Sequence, residues 1–133
     1  MARIIALDHI VLNVADVERS LAFYSGTLGL PAERVEAWRR GELRFPSVRV
    51  NEATIIDLVK AEERAPEDAL NLGHYCLVTD EDLAAVQREL EAAGVVIERG
   101  PGMRSGARGN ALSLYFRDPD NNLIELRTYA GVE

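Results

Sequence analysis

Cysteine is almost missing from this sequence. Cys76 is the single one among 133 residues, which excludes an intrachain disulfide and fits a reducing compartment. Basic residues are also scarce: 15 Lys and Arg stand against 22 Asp and Glu, a formal net charge of -7. That surplus repels a phosphate backbone and an anionic membrane face, so neither nucleic acid nor membrane is an expected partner. Long apolar runs are absent as well. The opening MARIIALDHI has a basic residue and a short apolar stretch, but Asp8 interrupts it before a signal-peptide core or a membrane span could form. With 47% apolar and 28% charged residues and no low-complexity tract, the expectation is a cytoplasmic globular chain forming one domain over 1–133.

What is present is a repeat, marked by the only two histidines in the chain. Sliding position 7 onto position 72 superposes LDHIVLNV (7–14) on LGHYCLVT (72–79), with Leu7 on Leu72, His9 on His74 and Leu12 on Leu77. The same shift puts Asp16 on Glu81, Leu21 on Val86 and Gly29 on Gly94. After each strand comes a helix-cap candidate, Asp16 in the first copy and Thr79 or Asp80 in the second. Apolar residues then recur at helical spacing: Val17, Leu21, Tyr24 and Leu28, and again Leu83, Val86, Leu90 and Ala93. Gly29 and Gly94 suit the C-terminal stops. Strands are expected at VEAWRR (35–40), LRFPSVRV (43–50) and ATIIDLV (53–59), then at VVIER (95–99), ALSLYF (111–116) and NLIELRT (122–128), with turns at NEAT and DPDNN. The charged KAEERAPEDALN (60–71) reads as a linker. The fold class is therefore α+β: two tandem βαβββ modules, about 5–60 and 72–130 around a linker at 61–71, forming a cupped mixed sheet with helices outside.

Strand side chains alternate faces. Ile10, Leu12 and Val14 make one apolar face, leaving His9 and Asn13 on the other; His74 shares a face with Cys76. IIDL (55–58) lies over LIEL (123–126), which makes Asp57 the counterpart of Glu125. Each copy then carries one imidazole and one carboxylate. A buried carboxylate needs compensation, and a divalent cation supplies it. A lone histidine in an apolar strand is more commonly a hydrogen-bonded core residue; the matched acid in each copy favours ligation here. His9, His74, Glu125 and Asp57 are the candidate ligands, a set suited to iron, manganese, nickel, cobalt or zinc with positions left open for substrate. Asp57 is the weakest member, being one methylene shorter than glutamate.

Further candidates share these faces. Arg49 lies with Ser47 on one side of LRFPSVRV, and Ser113, Tyr115 and Arg117 share a side, joined by Arg127 of the last strand. Guanidinium groups near a cation suggest an anionic substrate, although the same arginines could instead pair with the surplus of acids. Cys76 reads as a small buried apolar residue, and GPGMRSGARGN (100–110) as a mobile loop suited to a lid.

DHIVLNVADVERSLAFYSGTLGL (8–30), GHYCLV (73–78) and SLYFRDPDNNLIEL (113–126) together resemble the vicinal oxygen chelate superfamily. It includes glyoxalase I, extradiol dioxygenases, fosfomycin-resistance transferases, methylmalonyl-CoA epimerase and bleomycin-binding proteins. The resemblance implies paired βαβββ modules and metal ligands at His9, His74 and Glu125, with Asp57 matching the extra carboxylate of glyoxalase I and the epimerase. It does not imply one reaction. The chain has no third histidine for the acid–base role of extradiol cleavage, and Asn13 stands where glyoxalase I has an arginine for glutathione. Ser113 and Tyr115 match active-site residues of the fosfomycin transferases, whereas Val11 replaces their threonine.

The expectation is thus a metal-dependent enzyme, of lyase, isomerase, dioxygenase or transferase type. It chelates vicinal oxygens of a small anionic substrate on one divalent metal ion and stabilises an oxyanion or enolate. Glu125 and Tyr115 are the catalytic candidates. Asn13, Arg49, Ser113, Tyr115, Arg117 and Arg127 are the substrate-binding candidates. The resemblance implies a homodimer. The rival expectation is a metal-free protein that sequesters a small molecule such as an antibiotic.

Overall fold

The computed structural model describes residues 2–27, 29–61, 72–117 and 123–131. The class is α+β, with eight strands in mixed parallel and antiparallel pairing and few, short helices. The residues divide into two compact units, His9–Gly73 and Met1–Asp8 with His74–Glu133. The division falls inside the first strand, β1 (Ile4–Val14).

In the unit His9–Gly73, β1 is followed by α1 (Val17–Leu21), a π-helical stretch Ala22–Thr27, β2 (Ala32–Glu33), α2 (Val35–Arg39), β3 (Ser47–Arg49) and β4 (Ile55–Lys60). The strands lie in the order β2-β3-β4-β1; β1 and β4 run parallel, and the other pairs are antiparallel. Asp16 caps α1, its side chain accepting from the Arg19 amide at 3.1 Å, which satisfies a donor of the first turn. The core is Val17, Leu21, Val48 and Leu58, with Leu12, Val14, Tyr24 and Trp38 packed against it. The alternating row read from the sequence does cover the helix, since Leu12 and Val14 belong to this cluster while His9 lies on the other side of the strand.

Two expectations fail in this unit. VEAWRR is a helix, not a strand: Val35 and Trp38, three apart, both pack on the core, and the Trp38 amide donates to Arg34 O at 2.9 Å. Arg39 then ties α2 to α1 through Glu18 at 2.8 Å, a tertiary contact that overrides a mixed local propensity. LRFPSVRV is strand only at Ser47–Arg49, because Pro46 has no N–H for the ladder.

In the unit Met1–Asp8 with His74–Glu133, the elements are β5 (Leu72–Thr79), α3 (Leu83–Ala92), β6 (Arg99–Arg104), β7 (Ala111–Arg117) and β8 (Leu123–Thr128). Their order is β5-β8-β7-β6, with β5 and β8 parallel and the rest antiparallel. Leu83, Val86, Leu114 and Leu126 form the core, joined by Leu77, Leu90, Ile97 and Phe116. Gly94 follows the helix at φ +88, the left-handed stop expected of it. The cap is neither Thr79 nor Asp80: Asp82 accepts from the Ala85 amide at 3.1 Å. Thr79 instead accepts from the Glu81 amide. VVIER is strand only at Arg99, which opens β6, and Gly100–Arg104, expected as loop, continues that strand. The linker segment 62–71 and the turn 118–122 lie outside the described residues.

Candidate functional site

Within the unit His9–Gly73, the parallel pairing of β1 with β4 sets Val11 beside Asp57 and His9 beside Ile55. His9 and Asp57 are 2% and 4% exposed. The imidazole Nε2 lies 3.9 Å from Asp57 Oδ2. Ser47, opposite Asp57 on β3, donates its hydroxyl to Asp57 Oδ1 at 2.5 Å. One carboxylate oxygen is thus held by a hydroxyl and the other lies on the side of the imidazole.

Within the unit Met1–Asp8 with His74–Glu133, register builds a second pair. Glu125 on β8 faces Cys76 on β5 and Tyr115 on β7, so three strands place these side chains in one row. His74, two residues before Cys76, shares its face. His74 Nε2 is 3.0 Å from Glu125 Oε1, with Glu125 1% exposed. The imidazole meets the Tyr115 ring edge-on, centroids 5.8 Å apart. Burial, and then the Glu125 charge, push the Tyr115 phenol up to about 12, so it is neutral and a hydrogen-bond donor throughout the physiological range. Burial likewise pushes the Cys76 thiol up; it is a packed thiol, as expected, and not a thiolate.

Behind this row Arg127 and Ser113, expected at the substrate, are instead held in a buried charge cluster with Asp8 and Tyr129, which the sequence reading did not single out. Asp8 and Arg127 are both fully buried. Arg127 Nη1 donates to Asp8 Oδ2 at 3.3 Å, Nε to Ser113 Oγ at 3.2 Å and Nη2 to the Arg104 carbonyl at 2.5 Å. Tyr129 donates its hydroxyl to Asp8 Oδ1, and Asp8 Oδ2 also accepts from the Ala107 amide at 3.0 Å. The guanidinium reaches Glu125 Oε2 at 3.7 Å. The segment expected to be a mobile lid is therefore anchored: Gly106 and Ala107 are buried on this cluster, and the Arg108 amide donates to Tyr129 Oη at 3.1 Å. A legible signal did exist, since an aspartate in the middle of an apolar strand demands a partner.

The remaining candidates are dispersed. Arg49 pairs with Glu33 at 2.7 Å, Arg117 pairs with Glu98 at 3.1 Å, and Asn13 is exposed. Ser113 is buried and engaged by Arg127. His9 with Asp57, and His74 with Glu125 and Tyr115, are the groupings that the structure assembles within each unit.

Comparison with known proteins shows the family. Residues 6–126 match the Glyoxalase/Bleomycin resistance protein/Dioxygenase superfamily. A virulence protein of Salmonella typhimurium is 33% identical over 123 residues, covering 92% of this chain and 83% of that protein. A lactoylglutathione lyase of Neisseria meningitidis is 26% identical over 123 residues, covering 90% of this chain and 87% of the lyase. Among solved structures, the Mn(II)-bound glyoxalase from Novosphingobium aromaticivorans superposes with a TM-score of 0.72 at 20% identity, covering 96% of this chain and 40% of that one.

Proposed function

Because the chain belongs to the glyoxalase/bleomycin resistance protein/dioxygenase superfamily, we propose that it is an enzyme that uses one divalent metal ion, held by His9, His74 and Glu125 and assisted by Asp57, to act on a small anionic substrate. The observation that carries this is the His74 Nε2–Glu125 Oε1 separation of 3.0 Å between a half-buried imidazole and a buried carboxylate. Two donors each about 2.1 Å from one ion and at right angles lie about 3 Å apart, so the pair suits a shared metal. The repeat supplies the rest of the set, since His9 and Asp57 occupy the same places in the first copy. Imidazole and carboxylate donors suit iron, manganese, nickel, cobalt or zinc. Manganese is favoured by the superposed glyoxalase, which holds it. That one similar protein is a lyase supports an enzyme. A homodimer is the assembly we propose.

A metal there supplies Lewis acidity toward two neighbouring oxygens of the substrate. The chain's own groups do the remainder. Tyr115, neutral and beside Glu125, donates a hydrogen bond to the oxygen that gains charge. Asp57 Oδ2, lying at the His9 imidazole and shielded from water, or Glu125 through the oxygen not given to the ion, takes the proton that the substrate loses. Ser47 keeps Asp57 oriented.

Elemental analysis of protein purified without chelators tests the reading: one metal per chain is expected, and its loss in both His9→Ala and His74→Ala. Absence of metal together with tight small-molecule binding would establish the sequestering protein instead.

A further inference from the structure

β6 is the outermost strand of its unit. It runs antiparallel to β7 with Arg104 opposite Ala111, Gly102 opposite Ser113 and Arg99 opposite Tyr115. Directly opposed residues point to the same side of a sheet. Arg99, Gly102 and Arg104 therefore share the face that carries Ser113 and Tyr115. Simple alternation would not do this, because Gly102 and Arg99 are three residues apart and odd spacings send side chains to opposite faces. A register shift between Arg99 and Gly102 supplies the additional residue that turns Arg99 round. Gly100 permits it: its φ is +86, and a Cβ there would lie 2.5 Å from the Ser113 carbonyl oxygen, so no other residue fits.

The outcome is a particular arrangement of charge. Arg99 Cζ lies 4.4 Å from the centre of the Tyr115 ring. Arg104 is fixed at its backbone by the buried Arg127, which donates to its carbonyl. Arg104 occupies the next position of the same face beyond Gly102, opposite Ala111. Between them Gly102 offers no side chain, and a Cβ built there would meet nothing within 4 Å. In a chain whose acids outnumber its bases, neither Arg99 nor Arg104 has a carboxylate partner among the described residues. Arg49, Arg117 and Arg127, by contrast, are neutralised by Glu33, Glu98 and Asp8.

We infer that Arg99 and Arg104 clamp a carboxylate of the substrate across the space at Gly102, beside Tyr115. This rests on the metal-enzyme reading above, the other end of the same molecule presenting its vicinal oxygens to the ion. The substrate class is then a hydroxy- or keto-dicarboxylate. The anion-binding role passes from the arginines that the sequence offered to two that it did not.

Calorimetric titration of manganese-loaded protein with malate and with lactate tests the clamp, since both are α-hydroxy acids and malate has one more carboxylate. Malate should bind about tenfold more tightly, the worth of a charge-assisted contact. Arg99→Gln/Arg104→Gln should erase that preference and leave lactate unaffected, and Gly102→Val should erase it by filling the space. Arg88→Gln, which removes one positive charge from the exposed side of α3, should retain it. Equal affinities in the wild-type protein, survival of the preference in the double variant, or its loss in Arg88→Gln would overturn the clamp. Failure of manganese to bind at all, seen in a separate metal titration, would overturn the enzyme reading first and the clamp with it.

Discussion

Gly106 shows how much one residue can decide. A Cβ at that position would lie 1.3 Å from Arg127 Nη1 and 2.6 Å from Asp8 Oδ2, so the absence of a side chain is what lets the 105–108 backbone close over the buried ion pair. Gly106→Ala must push the guanidinium off Asp8, leaving a buried carboxylate short of its countercharge. A loss of about 3 kcal/mol is expected, read as a lower urea midpoint. Gly109→Ala, a glycine of the same loop whose Cβ would meet nothing within 4 Å but whose φ is +98, should cost only about 1 kcal/mol of backbone strain. Equal losses would show that the close approach is not the cause. The two arginines that look alike in the sequence, Arg49 and Arg127, differ for the same reason: one is pinned by Glu33 near the surface and the other by Asp8 in the interior. Nothing in either one's sequence neighbours distinguishes them.

At the scale of elements, boundaries were set by contacts that periodicity does not encode. The helix α3 was legible from the spacing of Leu83, Val86 and Leu90, and its cap was misplaced because Thr79, Asp80 and Asp82 are all capping residue types within four positions. Only the backbone path selects Asp82. Asp82→Ala should cost about 1 kcal/mol, measured by denaturant unfolding, while Asp80→Ala, whose exposed side chain pairs with Arg3, should leave the midpoint nearly unchanged. The reverse ranking would move the cap. α2 was read as a strand because VEAWRR has mixed propensity, and its packing against α1 through Arg39 and Glu18 decided otherwise. Gly100–Arg104 reads as loop because glycines and arginines crowd it, whereas Gly100, at φ +86, permits the register shift that aims Arg99.

For the whole molecule, the proposed ion takes donors from both copies of the repeat, so its binding should stabilise the native chain by mass action. At a hundredfold excess over its dissociation constant the gain is about 2.7 kcal/mol. A melting temperature that rises with manganese in the wild-type protein, and does not rise in either His9→Ala or His74→Ala, is the expected result. A rise that persists in one of the two would mean that a single copy suffices.

The sequence by itself determined the duplication, the strands that bear His9, His74, Asp57 and Glu125, the faces they share and the family. These are local or periodic properties, carried by side-chain alternation and by residue type. Tertiary structure alone decided which charges neutralise which. Arg127 finds Asp8 across 119 positions of chain, and Arg99 reaches Tyr115 only through a shift in strand register. Electrostatic pairing depends on distance in space, and no pattern of neighbours along the chain records that distance.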